Sequence, residues 1–169
     1  TFLGLLGLWA KHGYFLKQMK ILHLTYNDFG GAGRAALRIH QALFKAGVDS
    51  RMKVGRSSIE DWTVHGPSTN LERGLALLRP HLTSPICKAL KTGNSSLHSP
   101  QVLPSNCVKR INDSDADVVN LHWVQGEMLS VADIGRIQKP VVWTLHDMWA
   151  FCGAEHYTGE DRWREGYHR

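Results

Sequence analysis

The chain is short of cysteine, of long apolar runs and of any repeating or low-complexity tract. Its three cysteines, Cys87, Cys107 and Cys152, are odd in number and widely spaced. That excludes a disulfide framework and makes a reducing cytoplasm the expected setting. No stretch approaches the roughly eighteen consecutive apolar residues of a spanning helix. Acidic residues are in the minority as well: 15 Asp and Glu against 20 Lys and Arg give a net charge of +5, with 10 histidines besides. Such a balance favours anionic partners such as nucleotide diphosphates, lipid phosphates or nucleic acid. The basic residues are scattered, however, and the aromatics do not interleave with them as a stacking platform, so no nucleic-acid partner is expected.

What is present is ordinary globular material, 43% hydrophobic and 21% charged over 169 residues, enough for one core and one domain. Residues 1–18 stand apart. Thr1 to Ala10 is apolar, but no basic stretch precedes it and no clean small-residue cleavage site follows, which argues against a signal peptide. Met19 directly precedes a charged residue and a strand, so the domain is expected to run over 19–157, with 1–18 as a non-domain extension. An interfacial membrane anchor is the alternative for that extension. Residues 158–169 read as a loop leading toward a further domain.

The apolar run Lys20 to Tyr26 reads as a buried strand. Helical spacing of Ala36, Ile39, His40, Leu43 and Phe44 predicts a helix over Gly33–Ala46, closed by Gly47, and Ser50–Val54 follows as a second strand. Strand, glycine turn, helix and strand within some 35 residues make a βαβ unit, which requires a parallel sheet. A third strand is expected at Trp62–His65, and helical pieces over Leu71–Leu90 interrupted by Pro80 and Pro85. Thr92–Pro104, rich in Gly, Asn, Ser and Pro, reads as a loop. The alternation then resumes: a short helix at Ser105–Ile111 capped by Ser105, a strand at Asp117–Trp123, a helix at Met128–Ile137 and a strand at Val141–His146. The expected fold class is therefore α/β, a Rossmann-like parallel sheet with flanking helices.

In such a sheet, ligands bind beyond the carboxyl ends of the strands. Three features fall there. The turn Gly30-Gly31-Ala32-Gly33-Arg34 combines small residues, which let a ligand approach the backbone, with a helix start and a cation, which suit an anion. Asn120-Leu121-His122-Trp123 and Thr144-Leu145-His146-Asp147-Met148-Trp149 each end a strand on a histidine among polar and aromatic groups. His23, inside the first strand, reads as structural. A nicotinamide enzyme is the rival reading, since Gly31-Ala32-Gly33-Arg34-Ala35-Ala36 fits G-x-G-x-x-A. Its ribose-binding acid is missing from the end of the second strand, where Gly55-Arg56 stand; Arg56 there would suit a 2′-phosphate. Zinc is not expected: Cys152 and His156 stand four apart near His146 and Asp147, but no second pair has structural-zinc spacing. Nor does an activating base stand beside Cys152 to make it a nucleophile.

These motifs, from Met19-Lys-Ile-Leu-His-Leu through Gly30-Gly-Ala-Gly-Arg-Ala-Ala36 and Asp117-Val-Val-Asn-Leu-His-Trp123 to Val142-Trp-Thr-Leu-His-Asp-Met-Trp149, then Phe151, Gly153 and His156-Tyr157, occur in a telling order. The chain resembles the N-terminal half of family 4 glycosyltransferases, in particular the bacterial exopolysaccharide (colanic-acid-type) branch. The resemblance implies one half of a two-domain GT-B architecture. It implies transfer of a sugar, usually with retention and without a catalytic metal or other cofactor, from a nucleotide-diphosphate sugar to a glycan or lipid-linked acceptor. That setting would be the cytoplasm at the inner face of the membrane, with peripheral membrane association. Carried over, donor phosphates and acceptor would lie near Gly30, Gly31, Gly33, Arg34 and His122, with His146 and Asp147 as the catalytic pair. The family's second half, which supplies most of the nucleotide pocket, is absent from these residues, so little or no turnover is expected of this chain alone. A non-catalytic remnant or binding domain is the remaining alternative.

Overall fold

The computed structural model describes residues 18–89 and 94–158; the expectations for residues 1–17 and 159–169 lie outside them. Five parallel strands form one sheet: β1 (Lys20–Asn27), β2 (Asp49–Arg56), β3 (Val64–His65), β4 (Val118–Leu121) and β5 (Val141–Trp143), in the order β3-β2-β1-β4-β5. The helices are α1 (Gly30–Lys45), α2 (Asn70–Leu82), α3 (Ser84–Ala89), α4 (Cys107–Asn112) and α5 (Val131–Ile134), followed by a 3₁₀ turn at Trp149–Phe151. The chain winds outward from β1 to β2 and β3, then returns to the other side of β1 for β4 and β5. That reversal makes the gap between the carboxyl ends of β1 and β4 a topological switch point, the crevice in which open α/β sheets bind ligands. No helix among the described residues is long and apolar enough to cross a membrane.

The side-chain alternation of β1 divides the core. Leu22 and Leu24 face one side, where Leu24 joins Val108, Ile111, Val119, Leu121, Val124 and Leu129 in the larger apolar cluster. His23 and Thr25 face the other. There α1 covers the sheet through Ala36, which packs with Met52, Val54 and Val64. Each fully buried aliphatic side chain contributes about 1.5–3 kcal/mol, so the two clusters on opposite faces hold the sheet between its helices.

Three differences from the sequence reading have physical causes. First, α1 starts at Gly30 rather than Gly33: Phe29 is an extended N-cap, and Gly30 takes a left-handed φ of 71°. Second, α2 runs through Pro80 instead of stopping. A proline cannot donate to the carbonyl four residues back, and the orphaned Ala76 oxygen accepts instead from the Tyr26 hydroxyl at 3.1 Å. Pro85 is harmless in the first turn of α3. Third, the helix expected over 128–137 shrinks to α5, held at its start by a capping box of Ser130 and Asp133. The carbonyls of Val124 and Leu129 are taken by Gln101 Nε2, at 2.8 and 2.6 Å, and Gly126 and Glu127 have left-handed φ of 68° and 59°. The stretch before α5 is therefore a series of turns. The strands at β4 and β5 also end sooner than expected, at Leu121 and Trp143, and the Ser105 helix starts at Cys107 with Asn106 as its cap.

Of the described glycines, Gly33 leaves the least room for a side chain. A Cβ there would lie 2.5 Å from the Asn27 carbonyl oxygen, whereas one on Gly31 would meet nothing within 4 Å. Gly33→Ala is therefore expected to destabilise the fold by about 1–3 kcal/mol through overpacking. Gly31→Ala is expected to be neutral or to gain up to about 1 kcal/mol from helix propensity. Urea midpoints of the two variants check this, and equal midpoints would contradict it.

Candidate functional site at the strand ends

At the carboxyl end of β1 the chain turns through Asn27-Asp28-Phe29 into α1. Asp28, 3% exposed, clamps the turn: its carboxylate accepts from the Ser57 hydroxyl (2.9 Å), the Ser58 N–H and hydroxyl (both 2.8 Å) and the Ile59 N–H (3.3 Å). Burial works to raise its pKa, but those donors outweigh it and hold the carboxyl below its ordinary value. The turn is thereby tied to the loop after β2. Gly30 and Gly31 border open space, and Arg34, one turn into α1, is exposed. Free backbone N–H groups at this helix start and the Arg34 guanidinium together favour an anion. Arg56, at the end of β2, stacks over the Phe29 ring with its guanidinium carbon 5.5 Å from the centroid.

Across the switch point lies a row of histidines. His23 Nδ1 is 3.1 Å from His122 Nε2, and His122 Nδ1 is 3.1 Å from His146 Nε2. The rings of His122 and His146 stack at 5.3 Å. His23 lies on β1, His122 follows β4 and His146 follows β5, so the row crosses three neighbouring strands. Burial pushes His23 down to about 4, with a further push from His40, and His122 down to about 3, with further pushes from His23 and His146. Burial also lowers His146, against an opposing pull from Asp147. All three are neutral near pH 7. A neutral imidazole has one donor and one acceptor nitrogen, so the N–H groups of the row must all point the same way. The tautomers are set together, and His146 carries the outcome to the partly exposed end.

Beyond His23 the polar core continues. His40 of α1 packs edge-on against His23, with centroids 5.8 Å apart. Its Nδ1 lies 2.8 Å from Ser50 Oγ and its Nε2 2.8 Å from Thr63 Oγ1. Thr63 donates its hydroxyl to Asp61 at 2.6 Å. Its oxygen must then accept from His40 Nε2–H, leaving Nδ1 to accept from Ser50. His40 is a satisfied structural histidine.

The two neighbours His146 and Asp147 part company. Asp147 Oδ2 accepts from Trp123 Nε1 at 2.9 Å and from His156 Nδ1 at 2.6 Å, while Oδ1 accepts from the Trp149 N–H at 3.0 Å. Its carboxylate belongs to a second network, with no hydrogen bond to His146. His156 in turn reaches Ser99 Oγ from Nε2, at 2.8 Å. The structure thus places Gly30, Gly31, Gly33 and Arg34 after β1, and His122 and His146 after β4 and β5, all at the carboxyl edge of the sheet. Asp147 stays on the same edge but faces elsewhere.

Among the described residues no three His, Cys, Asp or Glu side chains are grouped to hold a metal ion. Asp113-Ser114-Asp115-Ala116-Asp117 does contain the D-x-D spacing, but it precedes β4 at the amino end of the sheet. There Asp115 pairs with the Lys20 ammonium and Asp117 accepts from the Lys20 N–H at 3.0 Å.

Sequence reading did not foresee the roles of Asp28, Ser99, Trp123 and His156. Asp28 had a signal, its place between strand and glycines. Ser99 had none, because its loop lies 57 residues from His156. No protein family, no curated protein and no solved structure matches the chain.

The depressed histidines make stability depend on pH. Unfolded, His23 and His122 titrate near about 6.5, so below that pH the unfolded chain binds more protons than the folded one. Stability is expected to be full above about pH 6.5. It should then fall by about 1.4 kcal/mol per pH unit for each histidine as pH drops toward their folded values of about 4 and about 3. Urea unfolding from pH 7 to pH 4 measures the slope. His122→Gln should make it shallower.

Proposed function

We propose that this chain is the N-terminal, acceptor-side domain of a GT-B glycosyltransferase of the bacterial exopolysaccharide type. It would act with a facing second domain to move a sugar, with retention, from a nucleotide-diphosphate sugar to a glycan or lipid-linked acceptor. The observation that carries the reading is the pairing at the switch point: an open glycine-led helix start with Arg34 on one side, and the neutral His122–His146 pair on the other. As the sugar–phosphate bond breaks, charge grows on the leaving diphosphate. Fixed N–H groups and a guanidinium stabilise it without reorganising. His146, held by His122, orients a sugar hydroxyl.

A lipid-linked acceptor would also need contact with a membrane surface. Leu71, Leu75, Leu78 and Leu82, at least 46% exposed and set along one stripe of α2, supply an apolar face suited to peripheral association. The second reading, an NADP-type oxidoreductase domain, draws support from Arg56 at the end of β2, where a 2′-phosphate would sit.

Titrating the ¹⁵N-labelled chain separately with a nucleotide-diphosphate sugar and with NADPH distinguishes the two. The transferase reading expects weak, millimolar binding of the sugar nucleotide, with shifts at Gly31, Gly33, Arg34 and His146, weakened at least about fivefold in Arg34→Ala. Saturable NADPH binding that depends on Arg56, with no response to sugar nucleotides, would replace it.

A further inference from the structure

Asp147, His156 and Ser99 form a line of two short hydrogen bonds, 2.6 Å from Asp147 Oδ2 to His156 Nδ1 and 2.8 Å from His156 Nε2 to Ser99 Oγ. The carboxylate can only accept, so a neutral His156 has its proton on Nδ1 and offers Nε2 as an acceptor. The Ser99 hydroxyl then donates to that nitrogen. Asp147 is fixed in turn by Trp123 Nε1 and the Trp149 N–H. Ser99 is fixed too: its N–H donates to the Ala154 carbonyl and its own carbonyl accepts from Trp149 Nε1, both at 2.8 Å. A hydroxyl aimed at a base whose far side is held by a carboxylate is the arrangement that turns a serine oxygen into a nucleophile.

Such a line could also be a simple staple of the core, as the Ser50–His40–Thr63 line is. The surroundings of Ser99 differ from those of His40. Ser99 lies on the wall of a cleft of about 590 Å³, which it shares with Ser84, Ser96, His98, Gln101 and Glu127. Two non-glycine residues of that wall, Gln101 and Glu127, are held at left-handed φ of 49° and 59°. They are bonded to each other through the Glu127 N–H and Gln101 Oε1 at 2.6 Å. Strain of that kind persists only where the surrounding structure imposes it, and it clusters at functional sites.

We propose that Ser99 is the nucleophile of a second site, an acyl-transfer centre that cleaves carboxylic esters of a polyhydroxylated compound. The side chains of Ser84 and Ser96 on its wall give the cleft a polar lining that suits such a substrate. Ser99 Oγ bonds to the ester carbonyl carbon while its proton moves to His156 Nε2. The ester C–O bond then breaks, and His156 returns that proton to the leaving alcohol oxygen. In the second half, water gives a proton to His156 and its oxygen to the acyl carbon. The acyl–Ser99 bond breaks, the carboxylic acid leaves, and the serine recovers its proton. Ester and water become acid and alcohol, with no oxidant or further reactant. Asp147 is a positioning residue, holding the imidazole in the one tautomer that can accept from Ser99. Nothing in this proposal rests on sugar transfer, so the two readings stand or fall separately.

Incubating the whole chain at pH 7.5 with a fluorophosphonate probe, followed by peptide mass spectrometry, tests it. The expected result is one phosphonyl group on Ser99, absent in Ser99→Ala and formed at least about a hundredfold more slowly in Asp147→Asn. An initial burst of p-nitrophenol from p-nitrophenyl acetate, matching the amount of labelled chain, is expected beside it. Absence of label on wild-type chain that unfolds cooperatively in urea would overturn the proposal, leaving the line as a staple. Label on another residue that survives Ser99→Ala would overturn it equally. Should Asp147→Asn fail to fold, the Ser99→Ala comparison still decides.

Discussion

The hydrogen bond between His23 and His122 joins β1 to β4 at the place where the winding of the sheet reverses. Most of the candidate site depends on it. An apolar pair would have held the strands together as well, but it would have left His146 without a fixed orientation. Two neutral imidazoles buried here cost far less than one charged histidine would, provided each finds a partner. His122 finds a partner on each nitrogen, in His23 and His146, while His23 is bonded through Nδ1 and leaves Nε2 buried and unpaired. The crevice inherits from this a histidine, His146, whose tautomer is coupled to that of the buried pair.

The same economy recurs around the sheet. Where the backbone loses its regular partners, a single side chain takes the orphaned group: Tyr26 caps the carbonyl freed by Pro80, Gln101 gathers the carbonyls of Val124 and Leu129, and Asp28 collects the donors of Ser57, Ser58 and Ile59. These are contacts between distant parts of the chain, made by polar groups that would be costly to leave unpaired. They fix the loops at the carboxyl edge firmly enough to present small residues and histidines on a rigid frame. A binding site needs that frame more than it needs further apolar burial.

The alternation of strands and helices was legible because it depends on local periodicity. The strands β1, β2 and β3, the position of α1 and the parallel arrangement all follow from apolar spacing and the glycine turn. The residues at the strand ends were legible too: a histidine closing an apolar run stands out wherever the sheet's carboxyl edge must fall. What local pattern could not give was the start of the Met128–Ile137 segment, where a glutamine some 30 residues earlier in the chain holds the Leu129 carbonyl, or the passage of α2 through Pro80, where a tyrosine on β1 takes the freed carbonyl. Nor could it show that Asp147 turns toward His156 rather than His146. Each of these is decided by a partner far away in sequence, which periodicity does not encode.

The most direct measurement is long-range ¹H–¹⁵N NMR of the histidine ring nitrogens, recorded from about pH 5 to about pH 8. The account predicts that His23 and His122 each keep one protonated and one bare nitrogen throughout that range, because burial and mutual bonding hold them neutral. Couplings across the 3.1 Å contacts should identify His122 as donor to one neighbour and acceptor from the other. A His122 that titrates near about 6.5, or whose two nitrogens average between tautomers, would contradict the account: the row would then be three separate histidines.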